Sequence, residues 1–554
     1  MKSHPFINIF LPLWLLFALW QACFTQLIPD EAYYWLYAQN LAWGYFDHPP
    51  MIALMIKAGT MLFANELGVR FFVLLFSTGT LWLMYKIVEP ENEWLFIGII
   101  ISIVPLHLLV NFAVPDVPLL FFAALFFFAL KQYLQTEGEA SALLLLIAIS
   151  GMLYSKYHAV LIIVFTLLAA PRIFKYRSFY FILVAAVVCY MPHIVWQFNH
   201  DLRSIKYHLA ERNESSFSFQ NSIDYLTGQL VILGPLASIP LLYCAFKYKT
   251  QNVWQRVLLF NLGGFLLFFL VMSYRGHIEP NWTVTCWIPL VTLSYKYLVE
   301  NKGLWKWLKP ISAISIIGIV GTKVLLTFPV EDSSWPVYNQ FHRWRKWATA
   351  IKQEAKGKPV IFLNSYQQAS EYMFYAHNTG FSHNIPWGRG NQFDFWHYED
   401  DMLGKKVMLV SPGWYIKADS NIVAGHDTIP YKWIDDYWGF GKVRIHILNK
   451  PTEMKVNERC QVKVVAKNRF PGVGPLKKLT GMEPNICYIF DKPETFMGAM
   501  DANETLTATN VSDTLTLTIT APPTPGNYAL YFCFNKQDAM ILATNSERIM
   551  VKVK

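Results

Sequence analysis

Charge is what this 554-residue chain has least of: Asp, Glu, Lys and Arg together make up 15%, against roughly 25% in ordinary soluble domains. A coat that thin excludes a disordered chain and a coiled coil. Internal repeats and low-complexity tracts are also absent, which excludes solenoids and collagen-like sequence. Cysteine is scarce, with seven residues. Cys23, Cys189, Cys244 and Cys286 sit in apolar stretches and read as small buried hydrophobes. Cys460, Cys487 and Cys533 form an odd C-terminal trio that allows at most one disulfide, and no pair has zinc-site spacing. Hydrophobic residues, in contrast, reach 54% and aromatics 16%, with a mean hydropathy of +0.27. A soluble globule of this length could not hide so much apolar surface. The composition is that of a membrane protein with a soluble appendage. The net charge of +9 matters less than where the charges fall, and nucleic acid is not an expected partner.

A bilayer span needs ~20 mostly apolar residues, and no charged residue occurs from Pro5 to Pro29. That run is long for a cleaved signal peptide and no A-x-A-like site follows, so it reads as an uncleaved first helix. Further apolar runs at about 69–88, 94–113, 117–134, 140–154, 157–171, 178–197, 225–246, 255–273, 282–298 and 309–328 bring the expected spans to eleven. One of the short runs among 117–134, 140–154 and 157–171 is expected to be broken or re-entrant. Lys and Arg gather in the loops that lie inside when the N-terminus is inside: Arg172, Lys175 and Arg177, then Lys247, Lys249 and Arg256, then Lys296, Lys302, Lys306 and Lys309. An odd span count then leaves the C-terminal region outside. There, 330–450 alternates short apolar runs (Val360–Leu363, Val407–Val410) with a helical Ala369–Ala376, as in a small α/β module. From 451 to 554 the pattern is period two, as in Thr514–Thr520 and Tyr528–Phe534, which predicts an antiparallel, sandwich-like β domain. The expected fold is therefore a mainly α polytopic helix bundle over 1–329 with an extracytoplasmic α/β plus β region.

With this topology the unusual polar residues gather on the outer face. The first outer loop carries Asp30, Glu31, Tyr33, Tyr34, Asp47 and His48; the second carries Asp116; the third Lys156 and His158; the loop after 255–273 carries Arg275, His277 and Glu279. The loop at 198–224 adds His200, Arg203, Lys206, His208 and Arg212. A carboxylate tight against an apolar run needs water, a cation or a protein cavity. Asp30 and Asp116 are two such residues at the ends of separate helices. Beside Lys156, His158, Arg275 and His277 they sketch a pocket with a carboxylate base and an anion-binding wall. The aromatics around Asp30 would form either an interfacial belt or a platform for sugar rings and for the loop itself.

A reaction can be assembled from these parts. A pocket at lipid depth suits a lipid substrate, and its cationic wall suits a phosphate. A carboxylate can take the proton of an acceptor hydroxyl as it attacks a sugar carbon and lipid phosphate leaves.

The Asp30-Glu31-Ala32-Tyr33-Tyr34 run, the Tyr45-Phe46-Asp47-His48-Pro49-Pro50 segment, Pro115-Asp116 and the Glu279-Pro280-Asn281-Trp282 loop resemble the polytopic class C glycosyltransferases. More narrowly they resemble the bacterial branch related to dolichyl-phosphate-mannose protein mannosyltransferases and to lipid A aminoarabinose transferase. The likeness covers roughly the first 330 residues and is strongest over 28–70. It implies a bacterial inner-membrane transferase, active at the outer membrane–water boundary on a polyprenyl-phosphate-linked sugar. It also implies an essential acid at Asp30, with Glu31 beside it, and a second acid at Asp116. The aminoarabinose transferase has an acid and a lysine before its prolines, where this chain has Asp47 and His48. Histidine is cationic only at lower pH or near an anion. Position alone adds His48, Lys156, Arg275 and His277 as the expected donor-phosphate partners, and leaves the acceptor (lipid, glycan or protein) open.

No cofactor is required by these residues, although Asp47, His48, His277 and Glu279 could converge on a divalent metal; no local ligand spacing of the H-E-x-x-H kind supports it. The rival class is a transporter or flippase, which predicts polar residues near mid-span. His107 and His193 are the main cases, and each reads as a hydrogen-bonded structural residue. Lys323 lies near an outer helix end, from which it can snorkel.

Overall fold

The computed structural model of the chain describes residues 4–209, 218–328, 339–386, 389–411, 417–469, 474–492, 500–535 and 542–554; Arg212 lies outside the described residues. The chain divides into two compact units, Met1–His342 and Arg343–Lys554.

The first unit is helical. In chain order it contains α1 (Phe6–Phe24), α2 (Pro29–Gln39), α3 (Met51–Thr60), α4 (Glu66–Val88), α5 (Glu93–Ser102), α6 (Val104–Leu108) and α7 (Asp116–Thr136). These are followed by α8 (Glu139–Ser155), α9 (Ala159–Ala169), α10 (Arg177–Asn199), α11 (Arg203–Leu209) and α12 (Phe219–Ile232). The unit continues with α13 (Ser238–Lys247), α14 (Val253–Met272), α15 (Trp287–Glu300) and α16 (Trp305–Thr327).

Among the described residues six helices are long and apolar enough to cross a membrane: α1, α4, α7, α10, α14, and α16 with the turn that precedes it. The α5–α6 pair passes as one broken span, which makes up to seven. The chain is a multi-pass integral membrane protein, but the expected count of eleven is not what length and composition support. Helix α9 has 11 residues, about 17 Å at 1.5 Å per residue, where a bilayer core is roughly 30 Å thick. The run at 225–246 is split between α12 and α13 at Gly234, whose φ is +111° and whose missing Cβ leaves room for the Ser102 carbonyl. The run at 282–298 begins as a 3₁₀ turn, Pro280–Cys286, before the 14-residue α15.

The break also falls elsewhere than expected. Helix α7 is continuous over 21 residues, whereas α5 and α6 meet at 86°. Pro105 in the first turn of α6 lacks an N–H and cannot continue α5, and Ile103 leaves helical geometry at ψ 73°. His107 bridges the break: its Nδ1 accepts from Trp14 Nε1 at 3.0 Å and its Nε2 donates to the Ile100 carbonyl at 2.9 Å. Lys323 does not snorkel. It is 3% exposed, and its ammonium donates to Gln21 Oε1 at 2.7 Å, the oxygen that also accepts from Asn111 Nδ2. That short bond holds the lysine inside the helix cluster.

The second unit opens with the amphipathic α17 (Trp344–Ala355) and contains α18 (Tyr366–Ala376). Its first sheet has β1 (Val360–Leu363), β2 (Gly380–His383), β3 (Val407–Val410), β4 (Ser420–Ala424) and β5 (Asp427–Ile434), in the order β2-β1-β3-β5-β4. Strand β1 pairs parallel with β2 and β3, while β5 pairs antiparallel with β3 and with the edge strand β4. Two sheets follow, built from β6 (Val443–Ile447), β7 (Glu453–Met454), β8 (Arg459–Asn468), β9 (Asn485–Asp491), β10 (Met500–Thr505), β11 (Thr514–Thr520), β12 (Gly526–Asn535) and β13 (Ile549–Val553). Their orders are β11-β8-β6 and β10-β9-β12-β13-β7. All pairs are antiparallel except the edge pair β13–β7. The apolar core between them takes alternate residues such as Val462, Val464, Leu517 and Ile519, as a period-two pattern requires.

One buried acid in this unit carries a pH signature. Glu399 is 2% exposed and accepts the Gly441 N–H at 2.9 Å, next to the Asp400–Lys442 ion pair. Burial pushes its carboxyl up to about 7. An acid whose pKa is raised on folding stabilises the fold fully below its unfolded pKa and loses that contribution as pH rises toward the folded value. His383, bonded to Tyr437 and the Leu542 carbonyl, is lowered by burial to about 4 and acts in the opposite sense, losing stability as pH falls. Replacing Glu399 with Gln should therefore raise thermal stability in detergent at pH 8 by up to roughly 3 kcal/mol, with little effect at pH 4.5. Equal effects at both pH values would remove this role.

Candidate active site

The site begins at the entry to α2. Pro29 occupies the first helical position, where its missing N–H costs nothing, and Asp30 and Glu31 fill the rest of the first turn, toward the positive end of the helix dipole. Glu31 is fully buried. Its carboxylate accepts from Arg70 Nε at 2.8 Å, Arg70 Nη2 at 2.5 Å, the Ala113 N–H at 2.8 Å and the Ile28 N–H at 3.1 Å. Arg70, one turn into α4, also donates to the carbonyls of Thr25 and Gln26 and to the Thr25 hydroxyl. One ion pair thus joins the end of α1, the start of α2, the start of α4 and the segment that runs into Pro115-Asp116. Asp30 is partly exposed on the same turn.

Asp116 opens α7 and Lys156 follows α8. These antiparallel helices pack so closely that any side chain at Gly151 would run into the Phe122 ring. The start of one and the end of the other therefore share a level, and Lys156 Nζ donates to Asp116 Oδ1 at 2.8 Å. The second oxygen, Oδ2, accepts from Asn281 Nδ2 at 3.1 Å. Both charged side chains are nearly closed off, at 7% exposure for Lys156 and 12% for Asp116. Asn281 heads the turn that follows Arg275, His277 and Glu279. Arg275 and His277 are exposed there, His277 lying 3.7 Å from Glu279, and the chain links them to Asp116 through Asn281.

The segment from Tyr33 to Pro50 is a rigid block. Tyr33 and Tyr37, one helical turn apart, both donate to Asp47 Oδ2, at 3.0 and 3.1 Å. The Tyr37 and Tyr45 rings stack at 4.0 Å, and Tyr34 packs against Tyr37 and the His48 ring. Burial raises the Tyr37 hydroxyl well above its ordinary pKa, so it stays a donor. The block is clamped from outside. His193 Nδ1 donates to the Trp43 carbonyl, Ser204 to the Phe46 carbonyl and His208 Nε2 to the Asp47 carbonyl. Gly44 is required because a Cβ would lie 2.5 Å from the Trp196 ring.

Sequence reasoning missed Arg70 and Ser204, and it singled out Asn281, Tyr37 and His193 without the contacts they make here. Arg70 had a signal: an arginine inside an apolar helix needs an acid. The cation site drawn from Asp47, His48, His277 and Glu279 does not assemble; among the described residues no three His, Cys, Asp or Glu side chains gather closely enough to hold a metal ion.

The family model of dolichyl-phosphate-mannose-protein mannosyltransferases matches residues 47–196. The chain is 26% identical over 311 residues to the lipid A galacturonosyltransferase RgtD of Rhizobium johnstonii, a match covering 52% of this chain and 65% of that relative. The chain thus spans about two thirds of that relative's length, falling slightly short. Its fold is similar to that of ArnT from Cupriavidus metallidurans, with a TM-score of 0.58 at 13% identity over 78% of this chain and 98% of that one. The same protein bound to undecaprenyl phosphate gives 0.56 at 14% identity, over 77% and 98%. Over residues 47–196 the chain is thus similar to the dolichyl-phosphate-mannose-protein mannosyltransferases, and along most of its length it shares a polytopic fold with ArnT.

The Glu31–Arg70 pair yields a stability prediction. Removing one partner of a buried pair strands a charge, at about 3–5 kcal/mol. E31Q and R70Q should each lower thermal stability in detergent by that order, and E31Q/R70Q by less than the sum. Additive losses would show that the two side chains act independently.

Proposed function

We propose that the chain moves a sugar from a polyprenyl-phosphate-linked donor to an acceptor on the outer face of a bacterial inner membrane, with Asp30 as general base. The observation that carries this reading is the Asp116–Lys156–Asn281 contact. It gathers residues from three separate segments at the end of the helical unit where the Glu31–Arg70 pair fixes Asp30. Support also comes from the relatives, one named as a lipid A glycosyltransferase and one solved with undecaprenyl phosphate.

In this reading the acceptor hydroxyl attacks the anomeric carbon, the bond from that carbon to the phosphate oxygen breaks, and polyprenyl phosphate leaves. Asp30, partly exposed and on a rigid turn, takes the hydroxyl proton. Lys156 has N–H groups beyond the one given to Asp116 and offers them to the leaving phosphate. The Asp116–Lys156 pair carries no net charge, so it orients the phosphate without neutralising it; Arg275, His277 and His48 supply the balancing positive charge. Glu31 shares no such role, because four donors already occupy its oxygens, and it acts as a positioning residue. Tyr33 and Tyr34 spend their ring faces on neighbouring rings, so they support the loop rather than stack on a sugar.

The transporter reading loses its main support. His107, His193 and Lys323 are each engaged in bonds that join helices or loops, leaving no relay among them.

The test is transfer of radiolabelled sugar from a polyprenyl-phosphate donor to lipid A, glycan or protein acceptors in nanodiscs. D30N and D116N should each reduce transfer by ~10²–10⁴-fold; D30N should melt like wild type, whereas D116N, which strands the Lys156 ammonium, should melt lower while remaining folded. Full activity in either folded variant would overturn that residue's role. N281A should cost less than D116N, since it only frees one oxygen of Asp116. A loss equal to that of D116N would instead give the asparagine a direct part.

A further inference from the structure

Two cysteines in the second unit face each other across a pair of central strands. In the register of β9 and β12, Cys487 lies directly opposite Cys533, flanked by Tyr488–Phe532 and Ile486–Phe534. Cys533 Sγ lies 3.7 Å from the Cys487 carbonyl oxygen. Both are buried, at 4% and 0% exposure, in a small apolar cluster with Ile489, Tyr531 and Leu542 on the sheet face away from the main β core. Cys460 is on β8, in the other sheet, and packs against that main core instead.

The pair already meets most of the geometric demands of a disulfide. Directly opposed residues on antiparallel strands have Cβ atoms about 4.5–5.5 Å apart, and a disulfide wants roughly 3.5–4.5 Å with Cα atoms within about 7 Å. Closing the remaining gap needs the two strands to draw together slightly as the side chains rotate, and no exchange of strands. A buried pair of thiols has little else to do: neither is exposed enough to be a redox sensor, and among the described residues no His, Cys, Asp or Glu joins them in a group that could hold a metal ion.

We infer that Cys487 and Cys533 form a cross-strand disulfide, made while the β region folds on the oxidising side of the membrane and then sealed under Tyr531 and Leu542. This rests on the outer-face reading of the C-terminal region, because disulfides persist only in oxidising compartments. The chemistry is thiol–disulfide exchange with a disulfide-bearing oxidant, protein or small molecule. One thiolate attacks the oxidant's disulfide, giving a mixed disulfide and one released thiol. The second then displaces the other half, so that two thiols of this chain are oxidised and one disulfide of the oxidant is reduced to two thiols. Both steps precede burial. The bond would tie β9 to β12 at the centre of the five-stranded sheet, across a stretch that includes β10 and β11.

The test uses the full chain, expressed in its membrane, quenched with N-ethylmaleimide and denatured without reductant. The expected result is five alkylated cysteines out of seven and a Cys487–Cys533 cross-linked peptide pair that disappears on reduction. C487S should then show six alkylated positions out of its remaining six, and C487S/C533S five. Seven alkylated cysteines in the wild type, or a bond involving Cys460, would overturn the inference. A reporter fused after Lys554 separates this from the topology. Seven free thiols with an outward reporter sink the disulfide alone, whereas an inward reporter with seven free thiols sinks it together with the outer-face reading.

Discussion

The bidentate pair between Glu31 and Arg70 is the constraint on which the site depends. A fully buried charge pair is tolerated only when every lone pair and proton is used. Here that requirement recruits backbone from three directions: the carbonyls that end α1, the N–H that starts α2 and the Ala113 N–H that leads into α7. Satisfying one ion pair therefore fixes where Asp30 and Asp116 stand. The acid next to the proposed base is spent on holding it there.

Four of the carboxylates at this end of the helical unit occupy four different environments. Glu31 is saturated and sealed. Asp47 accepts from two tyrosine hydroxyls and stiffens its loop. Asp116 is shared between a lysine and an asparagine. Asp30 is partly exposed on the first turn of α2. Such separation of environments lets similar groups serve dissimilar purposes, and it is the physical reason for giving the proton to Asp30.

Composition and period made the helical membrane unit and the C-terminal sheets legible: every apolar run expected as a span is helical along most of its length, and Thr514–Thr520 is a strand from end to end. What periodicity could not reveal is whether an apolar run is continuous. Ile103 and Gly234 break runs whose hydropathy is unbroken, because the causes lie in proline and glycine backbone geometry and in close helix approach rather than in polarity. Partners distant in sequence were equally hidden. Arg70 lies 39 residues from Glu31 and Asn281 lies 165 from Asp116; an arginine inside an apolar helix calls for an acid, but nothing local says which one. Lys323 looked like a residue free to reach the interface, but the glutamine that captures it is 302 residues away.

The account's central claim is that Asp30 and the Asp116–Lys156 pair address one ligand. The most direct measurement is an experimental structure of the chain in nanodiscs with a polyprenyl phosphate bound. The account predicts the phosphate within about 3 Å of Lys156 Nζ, with the Asp30 carboxylate opening onto the same chamber. A phosphate held elsewhere, or an Asp30 walled off from the chamber that holds it, would contradict the claim.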